Sequence, residues 1–149
     1  MSNLKLTLFL ADDDHDDRLL FTEALFDLPF NITVRSFENG VDLIAALLDY
    51  TTILPDLIFL DLNMPLMNGE ECLDDIKAEP DFCAIPIIIY SSYSDPDKIE
   101  SLKRKGAELF IQKPGSFADL KLKLNEVMLE LSPIKSGTES ISRLGTEIG

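Results

Sequence analysis

Five short, mostly apolar runs constrain this chain more than any other feature. They are Leu4 to Ala11, Ile32 to Phe37, Leu57 to Leu60, Ile85 to Tyr90 and Leu109 to Gln112. Each has the length of a strand, and a run as apolar as Leu57 to Leu60 suits a strand buried on both faces. Helical spacing follows each run. Leu20, Phe21, Ala24, Leu25 and Leu28 recur on one helical face until Pro29 stops it. Asn39 can cap a helix whose apolar side is Val41, Ile44, Leu47 and Leu48. Cys72, Leu73 and Ile76 define a third helix after Gly69, ending before Pro80. Asp95 as cap and Pro96 at the first helical position open a fourth, closed by Gly106. Ser116 and Asp119 resemble a capping box for a fifth, with Phe117, Leu120, Leu124, Val127, Met128 and Leu131 as its stripe. Strands separated by helices imply a parallel sheet with right-handed crossovers and helices on both faces. The expected fold is therefore α/β, a doubly wound (βα)5 unit over residues 1–131.

In a parallel sheet all carboxyl ends share one edge, which is where open α/β sheets keep their sites. Four of the five runs deliver chemistry there. The first ends in Asp12 and Asp13, the third in Asp61, the fourth in Ser91 and the fifth in Lys113. The second ends in the less distinctive Glu38 and Asn39. Each is bland alone, since Asp is a common turn residue and acids favour helix starts. Together they place three acids, a hydroxyl and a lysine at one edge. Two carboxylates about 4 Å apart repel by roughly 4 kcal/mol at an effective dielectric near 20. Three in one pocket therefore need a cation or a proton. Hard carboxylate oxygens open to water suit Mg²⁺, which favours phosphate oxygens as further ligands. Lys113 adds a positive charge for phosphoryl oxygens and Ser91 a hydrogen-bond donor. Asp61, on the central run, can then act as a carboxylate nucleophile that becomes an aspartyl-phosphate.

The net charge of −14, from 27 acids against 13 bases, argues against nucleic-acid or anionic-membrane partners. No apolar run approaches the ~20 residues of a membrane span, and the start of the chain does not read as a signal peptide. Cys72 and Cys83 fit reduced core thiols of a cytoplasmic protein. The single histidine, His15, excludes a multi-histidine metal site; its position suggests an exposed first-turn residue.

These residues in this order resemble a response-regulator receiver domain, the phospho-accepting module of two-component signalling. The likeness is carried by Ala11-Asp12-Asp13, by Asp61-Leu62-Asn63-Met64-Pro65 with Asn68-Gly69, by Ser91, and by Lys113-Pro114. It runs from about Leu4 to Leu131. It implies a flavodoxin-like sheet of strand order 2-1-3-4-5, the order of chemotaxis receivers. It further implies that Asp61 takes a phosphoryl group from the histidine of a sensor histidine kinase or a histidine phosphotransfer protein. Asp13 and Asp61 would bind Mg²⁺ through carboxylates, Asn63 through its backbone carbonyl and Asp12 mainly through water. Lys113 would pair with the phosphoryl group across a cis peptide to Pro114. Ser91 would be the switch hydroxyl and Phe110 the switch aromatic, the latter set against ordinary core packing. Asn63 and Tyr93 occupy positions that tune aspartyl-phosphate hydrolysis. Asn68-Gly69 departs from the commoner Asp-Gly, a mild change within turn chemistry, and Gly115 is unusual after Lys113-Pro114.

Residues 132–149 read as a tail without an output domain. Its side chains are neutral overall, with Ile134, Ile141, Leu144 and Ile148 as a flexible end or a docking arm. The expectation is a stand-alone regulator, not an enzyme on other substrates. It would signal to a downstream protein partner or form a homodimer through the face of the fourth helix, fifth strand and fifth helix. An aspartyl-nucleophile phosphatase would want an acid two residues after the nucleophile, where Asn63 stands. A flavodoxin-like cofactor binder would want a phosphate-cradling loop where the acids of the first run lie. A receiver that folds without being phosphorylated is opposed by the intact Asp12, Asp13, Asp61, Ser91 and Lys113.

Overall fold

The computed structural model describes residues 5–92 and 95–131. They form β1 (Lys5–Ala11), α1 (His15–Phe26), β2 (Asn31–Phe37), α2 (Gly40–Leu48), β3 (Leu57–Leu60), α3 (Gly69–Ala78), β4 (Ile87–Ser91), α4 (Pro96–Arg104), β5 (Leu109–Gln112) and α5 (Phe117–Leu131). The five strands make one sheet in the order β2-β1-β3-β4-β5, every pair parallel. This is the doubly wound parallel sheet that the alternating runs imply, in the flavodoxin-like strand order that the receiver resemblance implies. Tyr93 and the 132–149 tail lie outside the described residues.

Side-chain alternation with period two sorts the sheet into two cores. Leu6, Leu8, Leu10, Leu57, Phe59, Ile88 and Tyr90 pack on one face with Phe21, Leu25, Leu120, Leu124 and Met128 of α1 and α5. Phe9, Ala11, Ile58, Leu60, Ile87 and Ile89 pack on the other with Leu43, Leu47, Cys72, Leu73, Ile76 and Leu102 of α2, α3 and α4. Both faces being covered is why β3 and β4 are buried along their whole length.

Four local expectations change. β4 starts at Ile87 and includes Ser91; Pro86 lacks an N–H, and the Ile85 amide is already used in a turn to the Phe82 carbonyl. α2 turns Gly40, Leu43, Ala46 and Leu47 inward and leaves Val41 and Leu48 exposed. Seven of its nine residues are leucine, isoleucine, valine or alanine, so sequence spacing could not choose its buried face. Cys83 is exposed, whereas Cys72 is a core thiol pushed up to about 12 by burial. Gly69 is the first residue of α3, not a turn residue. A Cβ there would lie 2.2 Å from the Asp61 carbonyl oxygen, so close backbone packing demands the glycine. The full capping box also sits here: Asn68 accepts the Glu71 amide and the Glu71 carboxylate accepts the Asn68 amide, both at 2.9 Å.

Candidate functional site

Strand register builds the site before any side chain is considered. Ala11 pairs with Leu60, so Asp12 and Asp61 leave adjacent strands side by side. The Asp61 amide donates to the Ala11 carbonyl at 2.9 Å, and the Asp12 amide to that of Phe37 at 3.0 Å. Ser91 pairs with Gln112, and the Lys113 amide donates to the Ser91 carbonyl at 2.9 Å. Hydrogen bonding thus continues past the nominal strand ends and holds the functional residues on a rigid base.

Asp12, Asp13 and Asp61 bring one carboxylate oxygen each to within 4.8 Å of one another. Asp12 and Asp61 are buried and Asp13 is exposed, giving the cluster a wet mouth. Lys113 reaches over it. Its Nζ lies 2.8 Å from Asp12 Oδ2, 2.8 Å from Asp17 Oδ2 and 3.1 Å from Asp61 Oδ2. The Asp12 contact is one of charge with charge; that fully buried oxygen has no partner in hydrogen-bonding geometry. Beneath the ammonium, 5.5 Å away, lies the Tyr90 ring, packed edge-on against Phe21 and Phe59. No cis peptide occurs among the described residues, so Lys113–Pro114 is trans and not cis as expected. Trans is the ordinary state even before proline, and from it Lys113 already meets all three acids.

α1 contributes two residues that sequence reading passed over. Asp14 caps α1 by accepting the Asp17 amide at 3.0 Å. That cap turns Asp17 back over the sheet edge to Lys113. The next residue, Arg18, donates from Nη1 to the Asp12 carbonyl at 2.7 Å. The only signal for Asp17 in the sequence was its place in the first turn of a helix that starts at the site.

Burial disfavours the charged form of Asp12 and raises its pKa from 3.8 to about 6, against the lowering effects of Lys113 and the Asp14 amide. Burial also pulls Lys113 down, but the carboxylates of Asp12 and Asp17 outweigh it and hold the ammonium well above its usual range. Four carboxylates, Asp12, Asp13, Asp17 and Asp61, face two cations, Lys113 and Arg18. The excess is two negative charges, and one oxygen of Asp12 lacks a hydrogen bond. A divalent cation with oxygen preference fits this donor set.

Asn63 follows the cluster directly, its amide donating to Asp61 Oδ1 at 3.3 Å. Ser91 is fully buried at the end of β4. By strand alternation it shares the α2–α4 face with Ile87 and Ile89, and Phe110 is half-buried in the core of that same face. Asp12, Asp61 and Lys113 are thus brought into contact, with Asp13 at the mouth. Ser91 and Phe110 lie on the opposite face of the sheet from Tyr90. His15 is exposed at the start of α1, as its position suggested.

A doubly wound sheet whose central strand presents a buried aspartate between a second acid and a lysine defines a phosphoryl-accepting signalling module. The chain belongs to the response regulator receiver domain family, whose sequence profile matches residues 8–125. It is 34% identical over 107 residues to the DNA-binding transcriptional regulator NtrC of Salmonella typhimurium, covering 72% of this chain and 21% of that one. This chain therefore spans about a fifth of that relative. It is 29% identical over 144 residues to the two-component response regulator ARR6 of Arabidopsis thaliana, covering 93% of this chain and 76% of the other. Among solved structures it resembles the phosphorylated cyanobacterial phytochrome response regulator RcpA. The TM-score is 0.78 at 27% identity, covering 86% of this chain and 94% of that one. No described helix is long and apolar enough to cross a membrane.

Proposed function

We propose that Asp61 is the phosphoryl acceptor and that its donor is a phosphohistidine of a sensor kinase or phosphotransfer protein. The observation that carries this reading is Lys113 Nζ held at 3.1 Å from Asp61 beside Asp12. An Asp61 carboxylate oxygen forms a bond to phosphorus as the bond from phosphorus to the donor imidazole nitrogen breaks. That nitrogen keeps the electron pair and takes up a proton. Asp13 and Asp61 would hold Mg²⁺ by carboxylate, with the Asn63 carbonyl, and with Asp12 through water. Bound there, the metal supplies Lewis-acid stabilisation of the phosphoryl oxygens. Lys113 is freed from Asp61 as the carboxylate becomes an acyl phosphate, and its ammonium then faces the phosphoryl oxygens. Asp17 and Asp12 keep that ammonium in place throughout.

The signal leaves by the other face of the sheet. A phosphoryl group adds charge and strong acceptor oxygens at the strand edge. Ser91 turns its hydroxyl toward them, and Phe110 follows into the space this opens. The surface of α4, β5 and α5 then changes, and a protein partner or a second copy binds there. Intact-mass spectrometry after incubation with acetyl phosphate and Mg²⁺ tests the acceptor. One phosphoryl mass should be added, none in excess EDTA and none in Asp61→Asn. Equal labelling of Asp61→Asn would refute the assignment. NMR of wild type and Ser91→Ala with beryllofluoride tests the switch; identical changes around Phe110 and α4 would rule out the hydroxyl as trigger.

A further inference from the structure

The exposed face of α2 stands out. A helix that is apolar all round is normally buried on all sides. Of the residues in α2, only Asp42 is charged, and only one face meets the core. Val41 and Leu48 remain exposed, and the loop after the helix exposes Tyr50 and Ile53 almost fully. Beside this face the structure has a groove of about 300 Å³ between α2 and α3. Ile44, Leu48, Ile76 and Phe82 line its floor, and Asp75 and Glu79 stand at its rim. Neither rim acid has an ion-pair partner among the described residues. The neighbouring acids of α3 differ, because Glu70 and Asp74 are engaged by Lys98 of α4 and by Lys105 at its C-terminal end.

We propose that the α2–α3 groove docks an amphipathic helix of another protein, with aliphatic residues on one face and lysine or arginine flanking them. The apolar lining offers the chemistry that helix-in-groove recognition uses. The unpaired rim acids select the sign of the partner. They also disfavour a second copy of this chain, since a symmetric contact would set Asp75 and Glu79 against themselves in a protein of net charge −14. None of Asp12, Asp13, Asp61, Ser91 and Lys113 lines this groove.

The test uses the full chain and a short synthetic helical peptide with leucine on one face and lysine on the other. An otherwise identical peptide with glutamate in place of lysine is the control. The lysine peptide should produce saturable NMR shifts of the Ile44, Leu48 and Ile76 methyls and the Phe82 ring. Affinity should fall about tenfold or more in Leu48→Glu, and likewise in the Asp75→Lys/Glu79→Lys double variant. Both are surface changes that leave the core intact. Equal binding of the glutamate peptide, or shifts centred on Asp12, Asp13 and Asp61, would overturn the proposal. So would self-association of the peptide-free protein that Leu48→Glu abolishes, which would make a second copy the occupant. Tighter peptide binding after removal of residues 132–149 would likewise overturn it, by assigning the groove to the chain's own tail.

Discussion

Gly69→Ala should damage the site without touching any charged group. A Cβ at position 69 would sit 2.2 Å from the Asp61 carbonyl oxygen and 2.9 Å from both the Asp61 carbonyl carbon and Leu62 Cα. All three are backbone atoms, so no side chain can swing aside. Relief requires α3 and the end of β3 to separate by about 1 Å, the difference between a clash and ordinary contact. Overpacking of this kind costs about 1–3 kcal/mol. Alanine's better helix propensity returns at most about 1 kcal/mol. We predict a net loss of about 1–2 kcal/mol in urea unfolding. The chemical effect should be larger than the stability loss suggests. Displacing Asp61, the proposed acceptor, by about 1 Å can cost on the order of 100-fold in rate, read as the rate of mass gain with acetyl phosphate. Gly115→Ala is the control. Nothing lies within 4 Å of its added Cβ, and its φ is outside the left-handed region. It should stabilise by about 0.4–1 kcal/mol by restricting the unfolded chain. Wild-type stability and rate in Gly69→Ala would refute the packing argument.

Further predictions concern charge. Lys113→Met leaves Asp12, Asp17 and Asp61 facing one another, so it should destabilise the chelated protein by about 3 kcal/mol, with Mg²⁺ restoring part; urea unfolding with and without the metal checks this. Asp12 is protonated below about 6 in the folded chain, so Mg²⁺ affinity measured by calorimetry should fall as pH drops through 6. Without metal the sign reverses. The folded state holds this proton more tightly than the unfolded chain, so Asp12 by itself lowers stability as pH rises from 3.8 to about 6, and Asp12→Asn should flatten that slope. Glu70→Gln removes one carboxylate shared by Lys98 at 2.7 Å and Lys105 at 2.9 Å, and amide exchange in α4 should quicken at low salt and differ less from wild type at high salt.

The fold was readable because helical and strand periods alternate cleanly and both sheet faces are dry. The placement of Asp12, Asp61, Ser91 and Lys113 at one edge was readable because strand ends in a parallel sheet must share it. What sequence could not supply came from three sources. Asp17 acts through the angle of α1, which the Asp14 cap sets and no periodicity reports. The buried face of α2 was unreadable because nearly every position is apolar. Gly69 looked like a turn residue because the clash that requires it comes from Asp61, eight positions earlier in the chain and on another element.

Strand alternation also explains why one edge can serve two tasks. Asp61 and Lys113 pack with α1 and Tyr90, on a face where Phe21, Phe59 and Tyr90 form a rigid aromatic floor. Ser91 and Phe110 belong to the opposite face, toward α4. There the anchoring is weakest. α4 buries one residue, Leu102, whereas α5 buries four and α1 three. The rest of its hold on α3 is the ion-pair cluster of Lys98 and Lys105 with Glu70 and Asp74, at a partly solvated surface. Pairs of that kind contribute little individually and are screened by salt. A conformational switch needs two states separated by only a few kcal/mol. If Asp61 is the acceptor as proposed, rigidity on its face would preserve the reacting geometry, and the lightly held helix on the other face would keep a second state within reach. On the proposed mechanism the same sheet would separate chemistry from response by the parity of its residues.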